Sequence, residues 1–125
     1  MTTRPVRSAS RRSTGQSEFV AHLESVFRDL GPVQARRMFG GHGVYHGGVM
    51  FALVADEMLY LKADAESAHH FRAAGCAQFE YVKNGRPMKM SYFAAPEAVF
   101  DDPDHARWWG RTAYAAALRA RGVKR

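Results

Sequence analysis

Tyr45-His46-Gly47-Gly48-Val49-Met50-Phe51-Ala52-Leu53-Val54-Ala55-Asp56-Glu57-Met58-Leu59-Tyr60-Leu61-Lys62 is the stretch that decides the fold. Gly43 to His46, Val49 to Val54 and Met58 to Lys62 are short runs rich in β-branched and aromatic residues. The spacers between them, Gly47-Gly48 and Asp56-Glu57, point to antiparallel hairpins. Val49 to Val54 is apolar at every position, which predicts a central strand covered on both faces. Upstream, Gln34 to Phe39 reads as a further strand. Downstream, Phe79 to Val82 and Met88 to Ala94 form another pair around Asn84-Gly85. That dipeptide is the strongest hairpin signal in the chain, because a type I′ turn needs positive φ at both central residues. Pro87 predicts that the second of these strands starts on an edge or just outside the ladder.

Helical spacing flanks and interrupts the strands. Phe19, Val20, Leu23, Val26, Phe27 and Leu30 recur at three- and four-residue steps, and Gly31-Pro32 stops that helix. Asp64 to Ala74 returns to helical spacing, with Asp64 as a cap and Gly75 as its end. A long last helix starts at Asp102-Pro103-Asp104 and carries Arg119 and Arg121 in its final turn, an order that suits the helix dipole. Its stripe of Ala106, Trp109, Ala113, Ala116 and Ala120 allows close packing on a sheet. The expected fold is α+β, with mainly antiparallel strands built from hairpins and covered by an N-terminal, a middle and a long C-terminal helix.

The 125 residues suffice for one modest core. Residues 1–16 read as a disordered basic tail, 17–122 as the domain and 123–125 as a basic end. Organellar transit peptides share the tail's composition. The longest apolar run, Val49 to Ala55, has seven residues, too few to span a bilayer. No apolar stretch of secretory type follows the basic start. Cys76 is the sole cysteine, so an intrachain disulfide is excluded and a cytoplasmic setting is expected. The formal charge is +6, but it is unevenly spread. Arg4, Arg7, Arg11 and Arg12 lie in the first fifteen residues, and Arg111, Arg119, Arg121, Lys124 and Arg125 in the last fifteen, with no acid in either block. The middle, 16–110, sums to −3. Polyanion contact is therefore expected at the ends, through Arg4, Arg7, Arg11, Arg12, Arg119, Arg121, Lys124 and Arg125.

Candidate chemistry is sparse. His42 and His46 have a His-x3-His spacing, but on a straight strand they stand roughly 13 Å apart, too far for one zinc ion. His69-His70 is helical, and adjacent helical residues diverge. Gly40-Gly41-His42-Gly43 leads into strand-like residues rather than into the helix that a phosphate loop requires, so a bend or bulge is the expected role. Cys76 follows the end of the middle helix, where nothing activates a thiolate, and is expected to be packed or idle. No catalytic set, cofactor or metal site is therefore assigned. Aromatic residues Phe39, Tyr45, Phe51, Tyr60, Phe79, Tyr81, Tyr92 and Phe93 alternate with Arg36, Arg37, Lys62, Lys83, Arg86 and Lys89. Such a sheet can stack single-stranded bases. With a middle of −3, the preferred expectation is that the aromatics fill the core and the cations face solvent. Trp108 sits about 100° around the last helix from Trp109, either as a protein-contact anchor or packed under the segment Pro96 to Phe100.

Arg37-Met38-Phe39-Gly40-Gly41-His42-Gly43-Val44-Tyr45 resembles the opening signature of the TfoX (Sxy) N-terminal domain family. Gly48-Val49-Met50-Phe51, Leu59-Tyr60-Leu61-Lys62, Phe71 to Gly75, Phe79-Glu80-Tyr81 and Met90-Ser91-Tyr92-Phe93 follow in the family's order, so the resemblance spans about residues 18–120. It implies a regulator of natural competence that acts with the cyclic-AMP receptor protein, and a protein partner that is a transcription regulator. The family's full-length members carry a second helical domain. The resemblance therefore implies a stand-alone N-terminal domain here, which sets direct promoter regulation aside. No catalytic residues carry over. The expected function is a non-enzymatic interaction domain, monomeric or homodimeric. The alternatives are electrostatic nucleic-acid binding through the termini, and a small ligand site or enzyme near the glycine-rich hairpin.

Overall fold

The computed structural model describes residues 18–38 and 40–122. Six strands, β1 (Gln34–Met38), β2 (Gly41–His46), β3 (Val49–Ala55), β4 (Met58–Lys62), β5 (Gln78–Lys83) and β6 (Arg86–Ala94), form one sheet in the order β1-β2-β3-β4-β6-β5. Every pairing is antiparallel. The helices are α1 (residues 18–26), α2 (Ala68–Ala73), α3 (Ala98–Asp101) and α4 (Pro103–Ala120). The α+β class, the hairpins and the three anticipated helices are all present. Three hairpin turns place both central residues at positive φ: Gly47 and Gly48 (58° and 79°), Asp56 and Glu57 (53° and 62°), and Asn84 and Gly85 (54° and 76°). Those angles match the right-handed twist of the strands they join.

Paired residues on antiparallel neighbours share a face, and alternate residues along a strand change face. Val44, Ala52, Leu61 and Phe93 are linked by register and lie on the helix-covered face. There Phe93 stacks on Phe71 of α2, ring centroids 5.1 Å apart, and Phe71 meets Trp109 of α4 at 4.8 Å. A bulge opposite Val44 and Tyr45 leaves Phe51 outside the ladder, so Phe51 and Ala52 both turn inward. Phe51 then packs edge-on against Phe27 (5.4 Å) and Tyr114 (6.1 Å). Among the described residues all helices thus lie on one side of the sheet, in a two-layer arrangement.

Several expectations are corrected. The middle strand is not covered on both faces: Met50, Leu53 and Ala55 stay half-buried on the side without helices. The middle helix begins at Ala68, because Asp64 and Ser67 first close a turn. The Ser67 amide donates to Asp64 Oδ1, and the Asp64 amide donates to Ser67 Oγ, each at 3.1 Å. The first helix gives way to turns at 27–30, before Gly31. An additional short helix, α3, buries Val99 and ends where extended Asp102 caps α4 by accepting from the Asp104 amide at 2.9 Å. The packed stripe of α4 runs through Ala106, Trp109, Ala113, Ala116 and Ala117, while Ala120 is exposed. Pro87, by contrast, holds the expected edge position near the start of β6, opposite Val82. It is tolerated because β6 pairs β4 only through Tyr92, Phe93 and Ala94, which leaves its other edge free at Pro87. Beyond that contact, β5 and β6 project as a two-stranded arm. Residues 1–16 and 123–125, read above as basic ends, lie outside the described residues.

Candidate functional site

The face without helices collects a distinctive set of side chains. Register places Arg36 with Gly43, Tyr45 with Met50, Leu53 with Tyr60, and Lys62 with Tyr92 on this face. Along the arm the same face carries Tyr81 and Lys83 on β5, and Arg86, Met88 and Met90 on β6. Between the pairs Gln78–Phe93 and Glu80–Lys89 the register shifts, which sets Phe79 opposite the longer β6 segment Met90 to Tyr92, and the Phe79 ring meets Tyr60 at 4.6 Å. The sheet curls strongly enough that Met38 from one edge strand and Tyr81 from the other line a single cavity of about 270 Å³. Met50, Leu53, Phe79, Met90 and Tyr92 are among its other lining residues. Glycine permits this closeness twice. A Cβ on Gly41 would stand 2.0 Å from the Val54 carbonyl oxygen, and one on Gly43 would stand 2.8 Å from Met38 Sδ and 3.0 Å from Met50 Sδ.

Cations border these rings. The Arg36 guanidinium lies 4.8 Å from the centre of the Tyr45 ring, and Lys62 Nζ lies 5.1 Å from that of Tyr92. Lys62 Nζ also donates to Ser91 Oγ at 2.7 Å. Burial lowers its pKa below the ordinary lysine value, and the nearby Asp64 charge partly opposes that shift. The Tyr92 phenol is raised, first by burial and then by Tyr45. Four cations, Arg36, Lys62, Lys83 and Arg86, share this face, and none forms a salt bridge among the described residues. The strands contain one acid, Glu80, which pairs with Lys89 on the other face. The remaining eleven acids lie in helices, turns and loops. The aromatics therefore do not all fill the core. Phe51 and Phe93 do, whereas Tyr45, Tyr60 and Phe79 are half-buried and Tyr81 is exposed on the open face. Phe39 lies outside the described residues.

The other sequence candidates separate. His42 and His46 occupy opposite ends of β2. His46 Nδ1 donates to the Pro32 carbonyl at 2.7 Å, and His42 Nδ1 is buried without a partner. Among the described residues no group of three or more His, Cys, Asp or Glu is placed to hold a metal ion. Cys76 is half-buried, and burial raises its thiol pKa, which disfavours the thiolate. Arg119 and Arg121, read as polyanion contacts, are engaged internally. Arg119 binds Asp64 and Glu66, and Arg121 Nη1 donates to the Gly48 carbonyl at 3.2 Å. Arg4, Arg7, Arg11, Arg12, Lys124 and Arg125 lie outside the described residues. Trp108 is 46% exposed on the helix layer, its ring edge-on to His70 (5.0 Å) and to Trp109 (4.9 Å).

The family model for the TfoX N-terminal domain matches residues 25–117, most of the chain. The chain belongs to the TfoX N-terminal domain family. Two curated relatives have matching segments. DNA transformation protein TfoX1 of Aliivibrio fischeri (strain ATCC 700601 / ES114) is 35% identical over 88 residues, 67% of this chain and 42% of the relative. Protein Sxy of Escherichia coli (strain K12) is 30% identical over 71 residues, 57% of this chain and 34% of the relative. The chain thus matches less than half the length of either.

Among the residues that carried the resemblance to the TfoX N-terminal domain, Met38, Gly43, Tyr45, Tyr60, Lys62, Phe79, Tyr81, Met90 and Tyr92 gather on the open face. Phe51 lies in the core, Gly40 has positive φ (76°) in the turn before β2, and Gly75, also at 76°, ends the α2 segment. Arg37 pairs with His42 and so faces away from the open side. The sequence shows these aromatics and cations alternating, but its preferred reading puts the rings in the core rather than together on one open face. The signal for the grouping was the alternate placement of Met, Tyr and basic residues, but the bulge at Phe51 breaks that alternation within β3. No helix among the described residues is long and apolar enough to cross a membrane.

Proposed function

We propose that the domain is a non-enzymatic interaction module that assists regulation of DNA-uptake genes through protein contact at Trp108. Family membership supports a regulatory role, and one relative is named a DNA transformation protein. The observation that carries the contact is the pose of Trp108. Nearly half of this large ring is exposed, yet it is braced edge-on by His70 and Trp109. Little side-chain freedom remains to be lost on docking, the property that makes tryptophan an effective contact anchor. The partner is a transcription regulator, in keeping with the family.

The test is genetic. Deleting the gene from its host should lower transcripts of DNA-uptake genes, and the wild-type chain should restore them. Trp108→Ala should fail to restore them at equal protein level and unchanged circular dichroism. Loss of such an anchor costs about 2 kcal/mol or more, roughly thirtyfold in affinity. Full restoration by Trp108→Ala, or transcripts unmoved by the deletion, would remove the proposal.

A further inference from the structure

We propose that the open, concave face of the sheet is a binding site for single-stranded nucleic acid. Charge is the first observation. Arg36, Lys62, Lys83 and Arg86 share this face with no acid among its strand residues, so a polyanion meets cations that no salt bridge among the described residues neutralises. The −3 of the middle of the chain is an average over a cationic sheet face and acids placed elsewhere.

The second observation is the pairing of cation with ring. Arg36 lies over Tyr45 and Lys62 over Tyr92, while Lys83 stands two residues from Tyr81 on the same face of β5. A single strand offers a flat base and a phosphate at every step, and this face offers a ring and a cation in repeated combination. A duplex has the same phosphates, but its base faces are already stacked. The cavity of about 270 Å³ between the curled sheet and the arm gives an unstacked base an apolar recess walled by Tyr81, Tyr92 and Met90. An acidic peptide would match the charge without supplying a π-face beside each anion. The site lies on the layer opposite Trp108, and it stands or falls independently of the regulatory contact proposed above.

The experiment is fluorescence anisotropy on the full chain with a labelled mixed-sequence 12-mer, its duplex, and an acidic peptide bearing one phenylalanine, at about 50 and about 200 mM salt. The single strand should bind at least about tenfold more tightly than the duplex. Tyr81→Ala should weaken it by about five- to a hundredfold, the range for losing one stacked base. Arg86→Glu should reduce the salt slope by about one contact. Both side chains are exposed, and melting curves check that each variant folds. Equal affinity for strand and duplex, or affinity unmoved by both variants, would place binding on the basic termini and overturn the proposal. Binding of the peptide with none of the oligonucleotide would assign the face to a protein segment and overturn it equally, as would binding of no probe.

Discussion

Asp64 joins the start of the α2 segment to the last turn of α4. Arg119 Nε donates to Asp64 Oδ2 at 2.6 Å and Nη2 to Oδ1 at 3.0 Å, a two-pronged contact that Glu66 extends at 3.3 Å. The Arg119 hydrogen bond is the main reason the Asp64 carboxyl titrates below its ordinary value of 3.8; burial opposes this, and the Ser67 hydrogen bonds add to it. A carboxyl whose pKa is lower in the fold than in the unfolded chain adds stability above the unfolded value and loses it as pH falls through the folded value. Wild type should therefore be more stable than Asp64→Asn at pH 7. The difference should shrink as pH drops below 3.8 toward the lower folded value. Urea denaturation of both proteins across that range checks this, and a difference that persists at the acid end would assign the effect to packing. The sequence marked Asp64 as a cap and Arg119 as a dipole partner. Their mutual contact spans 55 positions and depends on how α4 crosses the sheet.

The arm formed by β5 and β6 shows what one element owes to its turn. From Glu80 to Ser91 every residue is exposed, so burial contributes little to holding the strands together there. The ladder and the Asn84-Gly85 turn carry that load, and Gly85 sits at φ 76°. Gly85→Val places a β-branched residue in that region, at a cost of about 1–2 kcal/mol. Hydrogen exchange should then quicken in Tyr81 to Met90 while the amides of β2 to β4 keep their protection, because the arm opens without the core. Uniform acceleration across the sheet would show that the arm is not a separate unit. The hairpin was legible from two residues because their conformational demand is local. That it leaves the sheet to border a cavity was not legible, since this follows from β6 reaching β4 through three residues only.

At the scale of the whole molecule, the core lies between the helices and one face of the sheet, with Phe27, Phe51 and Phe71 fully buried. Phe71 touches both layers, through Phe93 of the sheet and Trp109 of α4. Phe71→Ala should cost about 3–5 kcal/mol, a large share of the roughly 5–15 kcal/mol expected for a domain. Tryptophan fluorescence during urea unfolding measures it. If the cost is no greater than for exposed Tyr81→Ala, the assignment of the core to one face is wrong.

Taken alone, the sequence determined the strands, the helices other than α3, the Asn84-Gly85 turn, the Asp102 cap and the family, because periodicity, turn conformation and capping act over a few residues. Tertiary structure decided which face of each strand is covered. A bulge at Phe51 moves two consecutive residues inward, and helices α1 to α4 all pack on one side. The aromatic and basic residues left over meet on the other side, from strands as far apart in sequence as β1 and β6. Net charge could not reveal that meeting, because it sums charges that the fold keeps apart.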